Sequence, residues 1–148
     1  MRDILFRGKT KGGAWLYGGI AFQEGGDVAI VHTLDYYKSL YDLGIEADYV
    51  IPETVGEFTG LYNGAGQRIF EDDIVRFEGN LYRVRREDET PGGYWASTAY
   101  ILQHIGWDDY MSFVDTIDDF CNEICVEIIG NIHDNPELLA AEADQKAN

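Results

Sequence analysis

Short stretches of alternating apolar and polar residues, separated by glycine-containing turns, constrain the fold of this 148-residue chain more than any other feature. In residues 81–85, Tyr82 and Val84 fall on one face of a strand, and Arg83 and Arg85 fall on the other. Turn signals such as Asn63-Gly64 keep the strands short. Closely spaced short strands favour a small barrel, because closure hides their edges. We therefore predict a mainly-β fold with a small barrel or a strongly curved sheet, and one or two short helices.

Three segments interrupt the β pattern. Leu34, Tyr37, Leu40 and Tyr41 fall at helical spacing, so we expect a short helix over residues 33–43 that Thr33 could cap. The pattern in residues 110–120 is compatible with either a strand or a helix, and Asp108 or Asp109 could cap a helix there. Asn135-Pro136 is a helix-start signal. We expect one domain over residues 1–148, with an N-terminal β/α elaboration over about 1–52, a barrel core over about 53–135 and a C-terminal helical tail over 136–148.

The acidic residues are distributed unevenly. The chain carries 27 Asp and Glu against 11 Lys and Arg, a net charge of −16, and residues 87–148 hold 14 acids against Lys146 alone, a net charge of −13. Such a field repels nucleic acid, so direct nucleic-acid binding is not expected. The acidity is either a solvated surface or a mimic of DNA that occupies a basic cleft. A mimic would use the closely spaced acids Asp108, Asp109, Asp115, Asp118, Asp119 and Glu123.

The composition also indicates a compartment. No apolar run approaches the roughly 20 residues that a membrane helix needs, and residues 1–7 lack the apolar stretch of a signal peptide. Two cysteines are too few for a disulfide scaffold. We therefore expect a protein of a reducing cytoplasm, with no membrane association.

Cys121 and Cys125 are the first candidates for chemistry, because they offer two thiolates one helical turn apart. A zinc site needs further ligands, and neither His104 nor His133 lies at a ligand-like spacing. The buried, inert free cysteine is the commoner case. The acidic runs 71–73 and 118–119 lack the alternation of a calcium loop, and we expect them to form solvated faces.

Catalytic and phosphate-binding motifs are also missing. Gly64-Ala65-Gly66 has no following Lys-Ser or Lys-Thr, and the chain contains no Gly-x-Ser-x-Gly. The three histidines have no recognisable nucleophile partner in sequence. Arg83, Arg85 and Arg86 form the densest basic cluster, which either pairs with acids such as Glu71 or Glu87 or contacts an anion. We predict no catalytic, cofactor-binding or metal-binding residue, no cofactor, and no enzymatic activity.

The core and the aromatic content give two further expectations. The motif strands should share one interior in which the following residues are largely buried: Ile69, Ile74, Val75, Phe77, Tyr82, Val84, Ile128 and Ile132. Ten Tyr, seven Phe and three Trp are a large aromatic load. These rings either fill the core or form an interface, and we predict a homo-oligomer because Tyr and Trp are enriched at interfaces.

Four blocks of sequence resemble the YopX family of phage and prophage proteins. They fall in the family's order at residues 1–7, 53–61, 66–75 and 127–139, the last reading Glu-Ile-Ile-Gly-Asn-Ile-His-Asp-Asn-Pro-Glu-Leu-Leu. One departure is Asp72, where the family usually has Gly. This puts the local turn geometry in question, because Gly tolerates positive φ better than Asp does.

The resemblance implies a phage or prophage origin and a β-barrel core of small-barrel, SH3-like character, but no activity and no site residues. We expect an accessory phage protein that acts as a non-enzymatic protein-interaction module, with another protein or a second copy of itself as partner. The alternatives are an acidic DNA mimic that inhibits a host nucleic-acid enzyme and an unrecognised carboxylate-dependent hydrolase or nuclease.

Overall fold

The protein is mainly β and contains two antiparallel sheets. The computed structural model describes residues 4–34, 45–86, 100–107 and 109–140. The chain divides between Phe58 and Thr59 into two compact units. Each unit has its own set of buried apolar residues. The mainly-β prediction is thereby confirmed.

Unit one is built from antiparallel strands. Its strands pair in the order β4-β3-β2-β1-β5 and are β1 (Phe6–Lys9), β2 (Trp15–Phe22), β3 (Val28–Leu34), β4 (Ile45–Val50) and the start of β5 (Gly56–Tyr62). Gly25 and Gly26 both have positive φ, which lets the chain reverse between β2 and β3. Val28, Ile30 and Val50 form the buried centre, against which Phe6, Leu16, Ile20 and Val55 pack.

Unit two holds the rest of β5 and a second sheet. β5 pairs with β6 (Arg68–Phe70). The other strands pair in the order β10-β9-β8-β7-β11 and are β7 (Asp73–Phe77), β8 (Asn80–Arg86), β9 (Tyr100–His104), β10 (Tyr110–Met111) and β11 (Glu127–Asn131). β7 and β11 are separated by about 50 residues of chain, yet they lie side by side, so the third and fourth family-like blocks are neighbours.

The sheet of unit two is buried on both faces. Val75, Tyr82, Val84 and Leu102 belong to a larger cluster on one face. Ile74, Leu81 and Ile105 form a second cluster, which Ile129, Ile132, Leu138 and Leu139 cover. Of the eight predicted core residues, five are buried, namely Ile69, Ile74, Val75, Tyr82 and Val84. Phe77, Ile128 and Ile132 are partly buried and pack against these clusters.

The strand pairings found among the described residues leave both sheets open. β10 and β11 are the two ends of the five-stranded sheet, and no described pairing joins them. The SH3-like barrel is therefore still a prediction, while two antiparallel sheets are what the structure shows. In the described parts of the chain, every helix is too short or too polar to cross a bilayer.

The predicted helices need correction. The helix expected over residues 33–43 does not begin at Thr33, because Thr33 pairs with Glu46 and Leu34 with Ile45 as part of β3 and β4. Its other residues lie outside the described ranges. Residues 110–120 contain a two-residue strand and a 3-10 helix over Phe113–Thr116. The cap of that helix is Ser112, not Asp108 or Asp109. A second 3-10 helix covers Pro52–Thr54, and residues 137–140 are α-helical after Pro136, as predicted.

Candidate functional site

The most distinctive surface feature is a hairpin over residues 112–125, here called the acidic hairpin. It begins at a capping box, in which the Ser112 side chain accepts a hydrogen bond from Val114 N and the Asp115 side chain accepts one from Ser112 N. Phe113 and Thr116 are buried and attach this start to the core. The chain then reverses, and Asp118 N and Cys125 N donate to the carbonyls of Glu123 and Thr116 at 2.9 Å each.

The base of the acidic hairpin is bonded to the turn after β5. The Asn63 amide donates to Val126 O at 3.2 Å, and Gly64 N donates to Ile124 O at 2.9 Å. The same Asn63 side chain accepts hydrogen bonds from Ala65 N and Gln67 N, which closes the turn over residues 63–67. The Gly64-Ala65-Gly66 segment is therefore a turn that supports the hairpin, in agreement with the sequence prediction.

Asp118 fixes the tip of the acidic hairpin. Its Oδ1 accepts a hydrogen bond of 2.7 Å from Phe120 N and a longer one of 3.4 Å from Cys121 N. Asn122 N donates to Asp118 O at 2.8 Å, and Asn122 has a φ of +56°, which Asn tolerates better than most residues. The turn is thus held by its own backbone bonds, although its side chains are exposed.

Three metal-binding side chains converge at this tip. One ligand atom from each of Asp118, Cys121 and Cys125 lies within 4.8 Å of the other two, and all three residues are exposed. The sequence placed the two thiols one helical turn apart. In the structure a hairpin turn, not a helix, brings them together, and it adds Asp118, which the sequence analysis did not associate with them. His104 and His133 do not join this cluster.

The surroundings of the thiols are anionic. A hydrogen bond from the Glu123 backbone lowers the pKa of the Cys121 thiol, but desolvation and the negative charges of Asp118, Glu123 and Cys125 outweigh it, so the pKa is raised above its usual value. Cys125 Sγ lies 3.5 Å from the Glu123 carbonyl, to which its S–H can donate. Both free thiols therefore lie next to the backbone of the same residue, and both are exposed instead of buried as the sequence had favoured.

An exposed aromatic ring stands at the same tip. Phe120 has a relative exposure of 102%, the largest among the exposed apolar side chains of the described residues. Around it, the acids Asp109, Asp115, Asp118, Asp119 and Glu123 are all exposed, while Asp108 lies outside the described residues. The segment 109–140 contains eight Asp and Glu and no Lys or Arg. The solvated face predicted for Asp118-Asp119 is confirmed.

The acidic run 71–73 is different from its prediction. Asp72 and Asp73 are buried, so they do not form a solvated face. Asp73 Oδ2 accepts a hydrogen bond from Phe70 N at 2.8 Å. Asp72 Oδ1 accepts from Arg83 Nη2 at 2.9 Å and Nε at 3.2 Å, and Asp72 Oδ2 lies 3.3 Å from His133 Nε2. Polar groups taken out of water need such partners, which explains why these carboxylates are tolerated there.

Asp72 adopts the backbone conformation for which Gly is suited. Its φ is +71°, and its backbone is fixed by bonds from Asp72 N to Val84 O and from Ile132 N to Asp72 O. Asp72 therefore has a positive φ that Gly would tolerate better, and its side chain contacts Arg83 and His133. From the sequence, Arg83 was expected either to pair with an acid such as Glu71 or Glu87 or to contact an anion. It pairs with an acid, Asp72, the residue after Glu71.

Two substitutions of Asp72 separate the cost of its positive φ from the contribution of its side-chain contacts. Asp72→Gly loses the contacts but relaxes the backbone, whereas Asp72→Ala loses the contacts and keeps a Cβ at positive φ. We expect Asp72→Ala to be less stable than Asp72→Gly by about 1–2 kcal/mol in urea unfolding, because a Cβ in the left-handed region costs about that much. Equal stabilities of the two variants would mean that the positive φ is not imposed by the fold.

The remaining candidate residues contact other side chains within the fold. Arg85 Nη1 donates to Gln103 Oε1 at 2.8 Å. His104 stacks between Tyr82 and Trp107, with ring centroids 4.9 Å and 5.7 Å away, and its buried Nε2 has no hydrogen-bond partner among the described residues.

In unit one, an open groove of about 610 Å³ is lined by Val28, Tyr49, Val50 and Pro52 with Asp27 and Asp48. None of the hairpin residues contributes to this groove.

Comparison with known proteins identifies one family. The family model described as YopX protein matches residues 6–140, which is most of the chain. No curated protein matches the sequence. The matched region includes both β7 and β11 and the whole acidic hairpin.

Proposed function

Because this chain belongs to the YopX family, and membership names no activity, we propose that it is an accessory phage protein that acts as a non-enzymatic protein-interaction module. We infer that the acidic hairpin is its contact surface and that the partner presents a basic surface with an apolar pocket for Phe120. The observation that carries the proposal is the fully exposed Phe120 ring on a turn held by hydrogen bonds.

The geometry of the tip supports this choice of anchor. Isolated exposed apolar residues are normal on protein surfaces, so exposure by itself decides little. Phe120 differs because its backbone is already fixed by Asp118, so binding would cost less ordering entropy than for a mobile loop. Aromatic anchors in the centre of an interface commonly carry most of its binding energy.

The charge of the surface supports a basic partner. Asp115, Asp118, Asp119 and Glu123 surround the tip, and a second copy of the chain would bring the same charges against them. That repulsion opposes self-association through this surface. A homo-oligomer would therefore have to use another surface. A basic nucleic-acid-binding cleft is one such partner surface. If the partner has such a cleft, the protein acts as the DNA mimic considered above.

The non-enzymatic part of the proposal is supported by the state of the buried carboxylates. The competing activity is a hydrolase or nuclease that uses carboxylates, and the two buried carboxylates, Asp72 and Asp73, both accept hydrogen bonds within the fold. A screen for nuclease and hydrolase activity with divalent metals addresses this part. Turnover that disappears in Asp72→Asn or Asp73→Asn would contradict it.

The interaction is tested by comparing two exposed phenylalanines. Phe120→Ser should weaken binding of the protein captured from host cells by about 30-fold or more, because an interface hot spot contributes at least about 2 kcal/mol. Phe22→Ser is the matched control, since Phe22 is 75% exposed in unit one and should leave binding unchanged. The dissociation constant with the purified partner is the measurement.

A double variant tests whether binding requires the negative charges of the acidic hairpin. Asp119→Asn combined with Glu123→Gln removes two charges and leaves the turn-forming Asp118 in place, so we expect slower association and a weaker dependence on salt. Competition by duplex DNA would identify the partner surface as a nucleic-acid cleft. Equal binding by the Phe120 and Phe22 variants, or binding insensitive to salt, would contradict the proposed surface, and light scattering would show whether the captured partner is a second copy.

A further inference from the structure

We propose that Asp118, Cys121 and Cys125 form a binding site for a single zinc ion at the tip of the acidic hairpin. The proposal rests on the side-chain cluster itself and does not depend on the interaction function, because zinc binding is a property of the isolated chain.

The donor set suits zinc. Thiolate sulfur and carboxylate oxygen are both common zinc ligands, and a mixed set of two sulfurs and one oxygen is selective against magnesium and calcium, which prefer oxygen alone. Two sulfurs bound tetrahedrally at about 2.3 Å from zinc lie about 3.8 Å apart. The observed ligand atoms lie within 4.8 Å of one another. The two sulfurs therefore need to approach each other by about 1 Å or less to close the site, which rotation of exposed side chains supplies.

The backbone of the hairpin holds the three ligands in place. Asp118 and Cys125 lie on opposite arms of the reversal, and Cys121 lies in the turn between them. The bond from Cys125 N to Thr116 O fixes the backbone of Cys125 relative to the buried Thr116. Asp118 is oriented by its two backbone donors, Phe120 N and Cys121 N. A carboxylate has about four lone-pair sites, so these bonds leave capacity for a cation. A site whose ligands are already positioned loses less entropy on binding.

The site has three ligands from the chain, which leaves one position of a tetrahedral ion open. Water can occupy that position, as can the carboxylate of the exposed neighbour Glu123. The negative charges of the carboxylates around the hairpin also favour a divalent cation, and zinc displaces the protons of the two thiols into solvent when it binds.

The test uses the full chain, reduced and freed of metal, and titrated with zinc against a chromophoric chelator. We expect one zinc per chain. Because loss of residues that merely support a ligand costs 10–100-fold in affinity, Cys121→Ser and Cys125→Ser should each weaken binding by at least about a hundredfold. Asp118→Asn should also weaken it. Asp119→Asn is the matched control, since it removes the same charge from the adjacent exposed residue and should change zinc affinity little.

Cobalt substitution gives a second measurement that a general electrostatic attraction would not produce. Co²⁺ bound by both thiolates should show sulfur-to-metal charge-transfer absorption, and this absorption should fall in both Cys→Ser variants. All three ligand residues are exposed, so the variants should keep the fold, which circular dichroism checks. Zinc binding that is equal in the wild type and the Cys121→Ser variant would overturn the proposal, and so would equal losses in Asp118→Asn and Asp119→Asn.

Discussion

Replacing Gly130 with Ala should destabilise the protein by about 2–4 kcal/mol, through overpacking and the loss of a hydrogen bond. A Cβ at Gly130 would collide with Oδ1 of Asn135 and lie 2.7 Å from its Cγ, closer than real Cβ atoms approach. Asn135 is held in this position, because its Oδ1 accepts from Asn131 N at 3.3 Å and its own N donates to Asn131 O at 2.9 Å. The free energy of unfolding in urea measures the effect.

The matched control is Gly19→Ala in β2. A Cβ there meets nothing within 4 Å, so the change should be neutral or slightly stabilising through the loss of unfolded-state freedom. A double-mutant cycle tests the mechanism. With Asn135→Ala also present, the collision is removed, and the pair should be less destabilised than the sum of the single variants. A cost below about 1 kcal/mol for Gly130→Ala would show that the Asn135 side chain swings away.

This steric argument explains a family-like block in physical terms. Gly130 allows the Asn135 amide to lie against β11, and the Asn131 side chain accepts from His133 N and Asp134 N. The register between β11 and β7 shifts between Ile128 and Gly130, and Asn131 pairs with Asp73. These residues therefore form a structural turn that joins β11 to the following helix.

The sequence predicted those features that depend on local pattern. Alternation in residues 81–85 placed Tyr82 and Val84 in the core, and both are buried. Asn63-Gly64 predicted a turn, and Pro136 predicted a helix start. The prediction of a helix start at residue 33 was wrong. The spacing of Leu34 with later apolar residues fits a helix, but Leu34 pairs with Ile45 across the sheet, and this pairing makes it part of a strand.

The candidate sites depend on contacts that sequence spacing does not reveal. The ligand cluster requires the register of the hairpin, in which Ile117 is bridged to Ile124, and only this register places Asp118 beside the two thiols. Asp72 was recognised as a departure from the family, but its partners Arg83 and His133 lie 11 and 61 residues away in sequence. Burial of an acidic run could be anticipated only by knowing those partners.

Replacing Ile74 with Ala should cost about 2–5 kcal/mol, the usual range for removing a large aliphatic side chain from a core. Ile74 has no exposed surface and lies on β7, between β8 and β11. Its side chain belongs to the cluster of Leu81 and Ile105, which Leu138 and Leu139 cover. Ile4→Ala is the matched control, since Ile4 is 77% exposed and should change stability by no more than about 0.5 kcal/mol.

Neighbouring residues on β7 point to opposite faces of the sheet and belong to different clusters, so substitutions at the two positions should have different effects. Val75 is also fully buried, but it packs with Tyr82 and Val84 on the opposite face of the sheet. Ile74→Ala should therefore loosen the segment that carries Leu138 and Leu139, with faster amide exchange and proteolysis there, because a cavity weakens the contacts nearest to it. Val75→Ala should lower global stability without this local change. Equal exchange in both variants, or a cost below about 1 kcal/mol for Ile74→Ala, would contradict the assignment of Ile74 to the covered face.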